Sequence, residues 1–192
     1  MNLPIKIYPM EDEIPDEHLA GWRDGMIDTA KKALLNDGGL RPIILAISNV
    51  GHRDIQAQGP ALVEIPIEDF MSSPGGKDDL ADALPGLFHH VGCRAYLMVS
   101  DAFFAEMPTG VYDDTMTSIS DSPHRRECLL FLSESPKGSW QLVLPYERAA
   151  DGSVTRFCEP LFEGTDPGGL SMAGRFANLL AKYTPLLRRF TR

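Results

Sequence analysis

The densest group of chemically active side chains lies at Ser118–Glu127, with the sequence SISDSPHRRE. Its hydroxyl, imidazole, carboxylate and guanidinium groups are the types that proteins use for nucleophilic catalysis, proton transfer and anion binding. A nucleophile needs a base within hydrogen-bonding reach, and that base needs a third group to orient it. Because ten consecutive residues rarely all face one point, we expect no complete triad here, and the catalytic residues stay unknown.

The end of this segment enters a predicted strand at 127–133. Side chains alternate along a strand, so Arg126 falls on one apolar face and Glu127 on the opposite one. A charge at the end of an apolar face must be paired or stay near water. One interpretation is an Arg–carboxylate bridge that fixes the preceding connection to the sheet, and it is favoured because ion pairs are the commoner cause of such placement. The other is an arginine that recognises an anion with its planar donor fork.

The connection at 102–125 is long for a segment without obvious regular structure. Segments of this kind often act as lids or binding loops. Its large apolar side chains are Phe103, Phe104, Met107, Val111, Tyr112, Met116 and Ile119. They either pack down or face a partner or a second copy of the chain, and a short helix at 102–106 is the alternative. The candidate binding residues of this region are Asp101, Phe104, Tyr112, Ser120, His124, Arg125, Arg126 and Glu127.

The pair His89 and His90 resembles part of a metal site by residue type. Adjacent side chains on a helix diverge by about 100°, so these two imidazoles cannot easily share one ion. We therefore predict no metal and no cofactor. As an alternative function we keep a small hydrolase or metal-assisted enzyme that uses Asp101, His124, Glu127 and His90.

The composition is that of an ordinary folded domain. The chain has 192 residues, of which 43% are hydrophobic and 23% charged, and we predict one domain over 1–192. The net charge of −9 disfavours a nucleic-acid-binding protein, because affinity for a phosphate backbone comes from Lys and Arg. Residues 1–40 hold eight acidic against four basic residues, which suggests a third function, an acidic inhibitor of a basic partner.

Cysteine usage and hydropathy indicate a cytoplasmic protein. The three cysteines stand singly and form no C-x-x-C pair, so neither a disulfide framework nor a zinc site is suggested. The first residues lack the apolar stretch of a secretory signal. The longest apolar runs, Ile43–Ile47 and Ala95–Val99, are too short to cross a bilayer, and we expect no membrane contact.

Hydrophobic periodicity predicts the helices that support these residues. They are expected at 16–36, at 78–91 and from Asp166 to Pro185. The first should bury a stripe formed by Leu19, Trp22, Met26, Ala30 and Ala33. Asp16 should cap its start, and Asn36–Gly39 should end it. Pro85 should kink or delay the second helix.

Strands are predicted at 42–48, 61–67, 94–100, 127–133, 140–146 and 153–157, with a further short one before the first helix. The strand at 42–48 is apolar on both faces, which is typical of a central strand. Pro66 favours a sheet edge for 61–67. Strands follow one another without crossover helices, so we predict an α+β fold. It has a largely antiparallel sheet of about six strands with helices packed against it, and it ends in a three-strand meander and a helix.

Two segments resemble a group of uncharacterised bacterial and phage proteins. Those proteins carry a strand of the form vSEaW and then a Ser-x-x-Pro-x-Arg-x-Glu-like segment. Here Ser100–Asp101 stands in place of Ser-Glu, and Phe103 or Phe104 in place of the aromatic residue. The second segment corresponds to Ser120, Pro123, Arg125 and Glu127, and the run Gly174–Leu180 is similar to the ends of some members. The resemblance implies a small cytoplasmic domain and carries over no activity.

These observations favour a binding or accessory domain without catalytic activity that acts through the region 102–127. Its partner would be another protein or a small anionic ligand, and the chain could form a homodimer. The sequence leaves open whether the chain is an enzyme.

Overall fold

The computed structural model of the chain describes residues 5–48, 59–73, 75–105, 125–165 and 179–180. After a short 3₁₀ helix at Asp16–His18, the α-helices are α1 (Leu19–Asp37), α2 (Glu68–Ser72) and α3 (Gly76–His90). The strands are β1 (Lys6–Pro9), β2 (Ile43–Ser48), β3 (Ala61–Pro66), β4 (Cys93–Ala105), β5 (Arg125–Ser135), β6 (Gly138–Arg148), β7 (Val154–Phe157) and β8 (Phe162–Thr165). No helix within the described ranges is long and apolar enough to cross a membrane.

The strands form one antiparallel sheet in the order β1-β3-β2-β4-β5-β6-β7, with β8 also paired to β6. The predicted α+β fold is confirmed, and β5, β6 and β7 form the predicted meander. The described part has eight strands rather than about six. The short strand expected before the first helix is β1, and the strand that the sequence did not predict is β8, which has four residues.

The prediction for β2 is confirmed, because it lies between β3 and β4 inside the sheet. The prediction that Pro66 places β3 at the edge is wrong, since β1 pairs along the outer side of β3. The reason is that β1 pairs with residues 61–64 only, so Pro66 lies beyond its end. The missing backbone N–H of a proline costs no hydrogen bond where no strand lies alongside to accept one.

Helix α1 covers one face of the sheet. Its buried residues include Ile27, Ala30 and Leu34, which pack against strand residues such as Leu129 and Phe131. The buried stripe is therefore rotated from the predicted one, and Leu34 takes the place expected for Ala33. Gly38 ends the helix with φ 70, as predicted. The predicted cap is wrong, because Asp16 accepts a hydrogen bond from Arg94 and caps no backbone N–H group.

Helix α3 covers the opposite face. Leu80, Leu84 and Phe88 pack against a core that includes Ile65 and Tyr96, and the Phe88 and Tyr96 rings stack with centroids 4.8 Å apart. The helix runs from Gly76 through Pro85 to His90, so the proline does not delay it. The candidate site lies where β4 ends, β5 begins and β6 ends.

Two predicted segments fall largely outside the described residues. Of the helix predicted after Asp166, only Leu179 and Leu180 are described, and both are helical. Their backbone N–H groups donate to the buried carboxylate of Glu134, at 3.1 and 2.8 Å, which fastens them to β5. Of the long connection, residues 102–105 belong to β4, so the alternative helix at 102–106 is wrong there, and 106–124 lie outside the described ranges.

Candidate functional site

The structure describes five of the eight candidate binding residues, and it places them at one end of the central strands. Asp101 and Phe104 lie near the end of β4, and Arg125, Arg126 and Glu127 begin β5. Tyr112, Ser120 and His124 lie outside the described residues. The antiparallel register pairs Phe104 with Arg126 and Phe103 with Glu127, so the candidates of β4 and β5 lie on neighbouring strands.

Each of the two arginines lies over an aromatic ring of β4. The guanidinium carbon of Arg125 is 5.3 Å from the centroid of the Phe103 ring, and that of Arg126 is 5.4 Å from the centroid of Phe104. Cations within about 6 Å of a ring centroid are attracted by the ring quadrupole. The rings therefore hold two positive charges at the start of β5.

A pocket opens where β5 and β6 separate. The last pair between them is Cys128 with Pro145, and the rest of β6, Tyr146–Arg148, pairs with β7. The gap leaves a pocket of about 440 Å³ lined by Phe103, Arg125, Arg126, Glu127, Tyr146 and Glu147. We call it the β5–β6 pocket. Both arginines line this pocket, although neighbouring side chains on a strand point to opposite faces.

One wall of the pocket is held by a hydrogen-bonded group that we call the Tyr146 network: Asp101, Glu127, Tyr146 and Arg148. The phenol of Tyr146 donates to Oδ1 of Asp101 at 2.5 Å, and Oε1 of Glu127 lies 3.4 Å from the same oxygen. The guanidinium of Arg148 donates to the phenolic oxygen at 3.1 Å. A phenol has one hydrogen, so it serves one carboxylate at a time.

Arg148 connects this network to the rest of the fold. Its Nε lies 3.1 and 3.0 Å from the two carboxylate oxygens of Glu127. Its Nη1 donates to the backbone oxygens of Gly38, at the end of α1, and Gly152, in the β6–β7 turn, at 2.6 and 2.8 Å. The structure thus contains an Arg–carboxylate bridge at Glu127, but its arginine comes from β6 rather than from the neighbouring sequence.

A second bridge at the pocket involves Glu147. Glu147 accepts hydrogen bonds from Nε and Nη2 of Arg156 on β7, at 2.8 and 2.7 Å. This hydrogen bonding lowers the pKa of Glu147. Both carboxylates that line the pocket therefore have an arginine partner outside it. The lining itself holds two arginines, Arg125 and Arg126, and these two glutamates.

The buried side of the network has a different electrostatic character. Burial raises the pKa of Asp101 despite the hydrogen bond from Tyr146, and the charge of Glu127 adds to this increase. Burial also raises the pKa of Tyr146, so the phenol stays protonated in the neutral range. On the other face of β5, burial raises the pKa of the Cys128 thiol to about 12, which leaves that thiol uncharged and unreactive.

The structure does not bring His90 to Asp101 and Glu127 of the enzyme alternative, and His124 lies outside the described residues. His90 ends α3 just before β4 begins at Cys93, whereas Asp101 lies eight residues further along β4. At about 3.3 Å per residue, these strand positions are about 26 Å apart. Among the described residues, no group of three or more His, Cys, Asp or Glu side chains could hold a metal ion.

The sequence interpretation missed Tyr146, Glu147, Arg148 and Arg156. A signal was present, since Tyr146–Arg148 breaks the apolar alternation at the end of a predicted strand. That pattern is also typical of a strand running into solvent. Only the pairing of β4, β5 and β6 shows that these residues meet the candidates at 101–127.

A second concavity lies beside the start of α1. It has a volume of about 640 Å³, and its lining includes Asp12, Glu13, Glu17, His18 and Trp22. Its acidic side chains belong to the first forty residues, in which acids exceed bases. Its charge therefore contrasts with that of the β5–β6 pocket.

Comparison of the chain with models of protein families, with curated proteins and with solved structures finds no match.

Proposed function

We propose that the protein is a binding domain that recognises the oxyanion group of a small ligand, a carboxylate or a phosphate, in the β5–β6 pocket. The observation that carries the proposal is that Arg125 and Arg126 both line the pocket, and each guanidinium lies over an aromatic ring, that of Phe103 and that of Phe104. This role is a binding one and requires no catalytic group.

A guanidinium that lies on a ring suits this task. Its N–H bonds lie in its own plane, so it can contact the ring with its face and an oxyanion with its edge. The ring also limits the rotamers of a long side chain, which reduces the entropy lost when the ligand binds. Two such groups favour an oxyanion over a neutral ligand.

The acidic residues of the pocket are ion-paired and therefore oppose this preference less than isolated carboxylates would. Glu127 and Glu147 would repel an anion if their charges stood alone, but they are bridged by Arg148 and Arg156. The chain as a whole carries a net charge of −9, so the attraction of an anion has to come from local cations, here Arg125 and Arg126. Binding should therefore weaken with added monovalent salt.

Sulfate is a suitable probe because its charge is constant near neutral pH. Calorimetric titration should show that sulfate binds to the full chain. The double variant with Arg125→Lys and Arg126→Lys should bind sulfate with about tenfold lower affinity, the equivalent of about 1.4 kcal/mol. Lysine keeps the charge but loses the planar fork. The matched control is Arg23→Lys, since Arg23 also lies over a ring, that of Trp140 at 4.0 Å, but outside the pocket. No sulfate binding, or equal binding by the double variant, would refute the proposal.

The other candidate functions have less support. The enzyme alternative lacks the approach of His90 to Asp101 and Glu127. The acidic inhibitor is supported by the acidic concavity beside α1, and it would be tested by binding to a basic protein that is lost in moderate salt. The homodimer stays a prediction, which light scattering of the purified chain would test.

A further inference from the structure

We infer that anion binding in the β5–β6 pocket is coupled to the uptake of one proton by the Tyr146 network. The inference rests on the proposed function and names how that site is regulated. It starts from the convergence of two carboxylates on one phenol, with Oδ1 of Asp101 at 2.5 Å and Oε1 of Glu127 at 3.4 Å from the Tyr146 oxygen.

The network contains more negative than positive charge. Asp101 and Glu127 are two carboxylates, whereas Arg148 is one guanidinium, with ion-pair distances of 3.7 Å to Asp101 and 3.0 Å to Glu127. Both carboxylates are mostly buried, with 30% and 32% of their side-chain surface exposed. Burial, with the charge of Glu127 as a further cause, raises the pKa of Asp101, so Asp101 is the carboxylate of this pair that takes up a proton.

The groups that face Asp101 can be named for each neighbouring element among the described residues. Strand β5 contributes Glu127 and, from its other face, the thiol of Cys128, and β6 contributes Tyr146 and Arg148. The end of α1 and the β6–β7 turn contact Arg148 through uncharged backbone oxygens, those of Gly38 and Gly152. Strand β7 places the uncharged ring of Phe157 beside Tyr146, with the two ring centroids 6.3 Å apart. Arg148 is thus the cation that acts on Asp101 within the described ranges.

Glu127 belongs both to the Tyr146 network and to the lining of the pocket, so an anion in the pocket adds negative charge beside the network. The added negative charge raises the cost of keeping both carboxylates ionised. A proton from solvent then binds Asp101, whose new O–H donates to the phenolic oxygen, and the Tyr146 hydrogen turns towards Oε1 of Glu127. No covalent bond changes other than the O–H bond that the proton forms. By linkage, the same proton strengthens anion binding by the same factor.

The test is calorimetric titration of the full chain with sulfate, from about pH 7 to about pH 5, in buffers of different ionisation enthalpy. We expect net proton uptake and an affinity that rises about two- to tenfold as the pH falls, from Coulomb interaction over about 10 Å. Asp101→Asn should bind more tightly near pH 7 and take up fewer protons. The matched control is Asp82→Asn, an exposed aspartate on α3, which should behave as the original chain does.

A second variant, Tyr146→Phe, removes the phenol that links the two carboxylates and should also reduce the proton uptake. Sulfate binding without proton uptake, or uptake that is the same in Asp101→Asn and Asp82→Asn, overturns this inference and leaves the proposed function standing. If no variant and no form of the chain binds sulfate, the proposed function fails and this inference fails with it.

Discussion

The phenolic oxygen of Tyr146 lies 2.5 Å from Oδ1 of Asp101, although the two residues are 45 positions apart in the chain. Tyr146 belongs to β6 and Asp101 to β4, so this hydrogen bond crosses β5, which lies between them. Glu127, the β5 residue beneath the bond, is thereby held at the wall of the β5–β6 pocket. Three strands are joined at the point where β5 and β6 separate.

Replacing Tyr146 by Phe should destabilise the fold. The change removes the donor to a mostly buried carboxylate and should lower the free energy of unfolding by about 1–3 kcal/mol. Urea denaturation measures this loss. The control is Tyr8→Phe, because Tyr8 donates to Glu64 at the surface, where it is 45% exposed. Tyr8→Phe should lower the free energy of unfolding by less than about 0.5 kcal/mol. Equal decreases for the two variants would contradict the prediction.

The stability of the protein should depend on pH through Asp101. Burial raises its pKa above the ordinary value of 3.8, so the folded chain binds this proton more tightly than the unfolded chain does. Stability is therefore lost as the pH rises from 3.8 through the raised pKa. Asp101→Asn lacks this loss, so its stability relative to the original chain should increase across that window. Urea denaturation at a series of pH values checks this, and a constant difference between the two proteins would contradict it.

Arg148→Met should be among the more damaging single changes in this region. It leaves Glu127 without its bridge and removes the donor to Gly38, and it should cost about 2–4 kcal/mol in thermal or urea unfolding. Arg156→Met is the matched control, since its bridge to Glu147 is exposed, with 67% and 46% of the two side chains accessible. An exposed pair contributes less than about 1 kcal/mol, so similar losses would show that Arg148 has no special role.

Two glycines on α1 should tolerate alanine. Gly21 and Gly25 are exposed, and a methyl group at either position would meet no atom within 4 Å. Each change should stabilise the protein by up to about 1 kcal/mol, because alanine is the better helix former. Gly38→Ala is the opposite case, since Gly38 has φ 70, and it should be destabilising. Thermal unfolding of the three variants tests the contrast.

Local sequence patterns were sufficient for the helices and strands in the middle of the chain. Spacing of apolar residues located α1 and α3, and runs of alternating or continuous apolar residues located β2 to β7. They did not predict β8 and α2, which have four and five residues and offer few positions for a period to show. The prediction that Pro66 places β3 at the sheet edge was wrong because the effect of a proline depends on where the neighbouring strand, β1, ends.

The residues at 101–127 were recognisable as a candidate site because their types are unusual beside apolar strands, and alternation correctly separated Arg126 from Glu127. The sequence alone determined which chemical groups this region holds and the two faces on which they lie, since side-chain direction along a strand is a local property. Only the tertiary structure decided that Glu127 pairs with Arg148, that Tyr146 bonds Asp101, and that the pairing of β5 with β6 ends at Cys128 and Pro145, beside a pocket. Those facts depend on which strands are neighbours and where their pairing ends, and no local pattern encodes either.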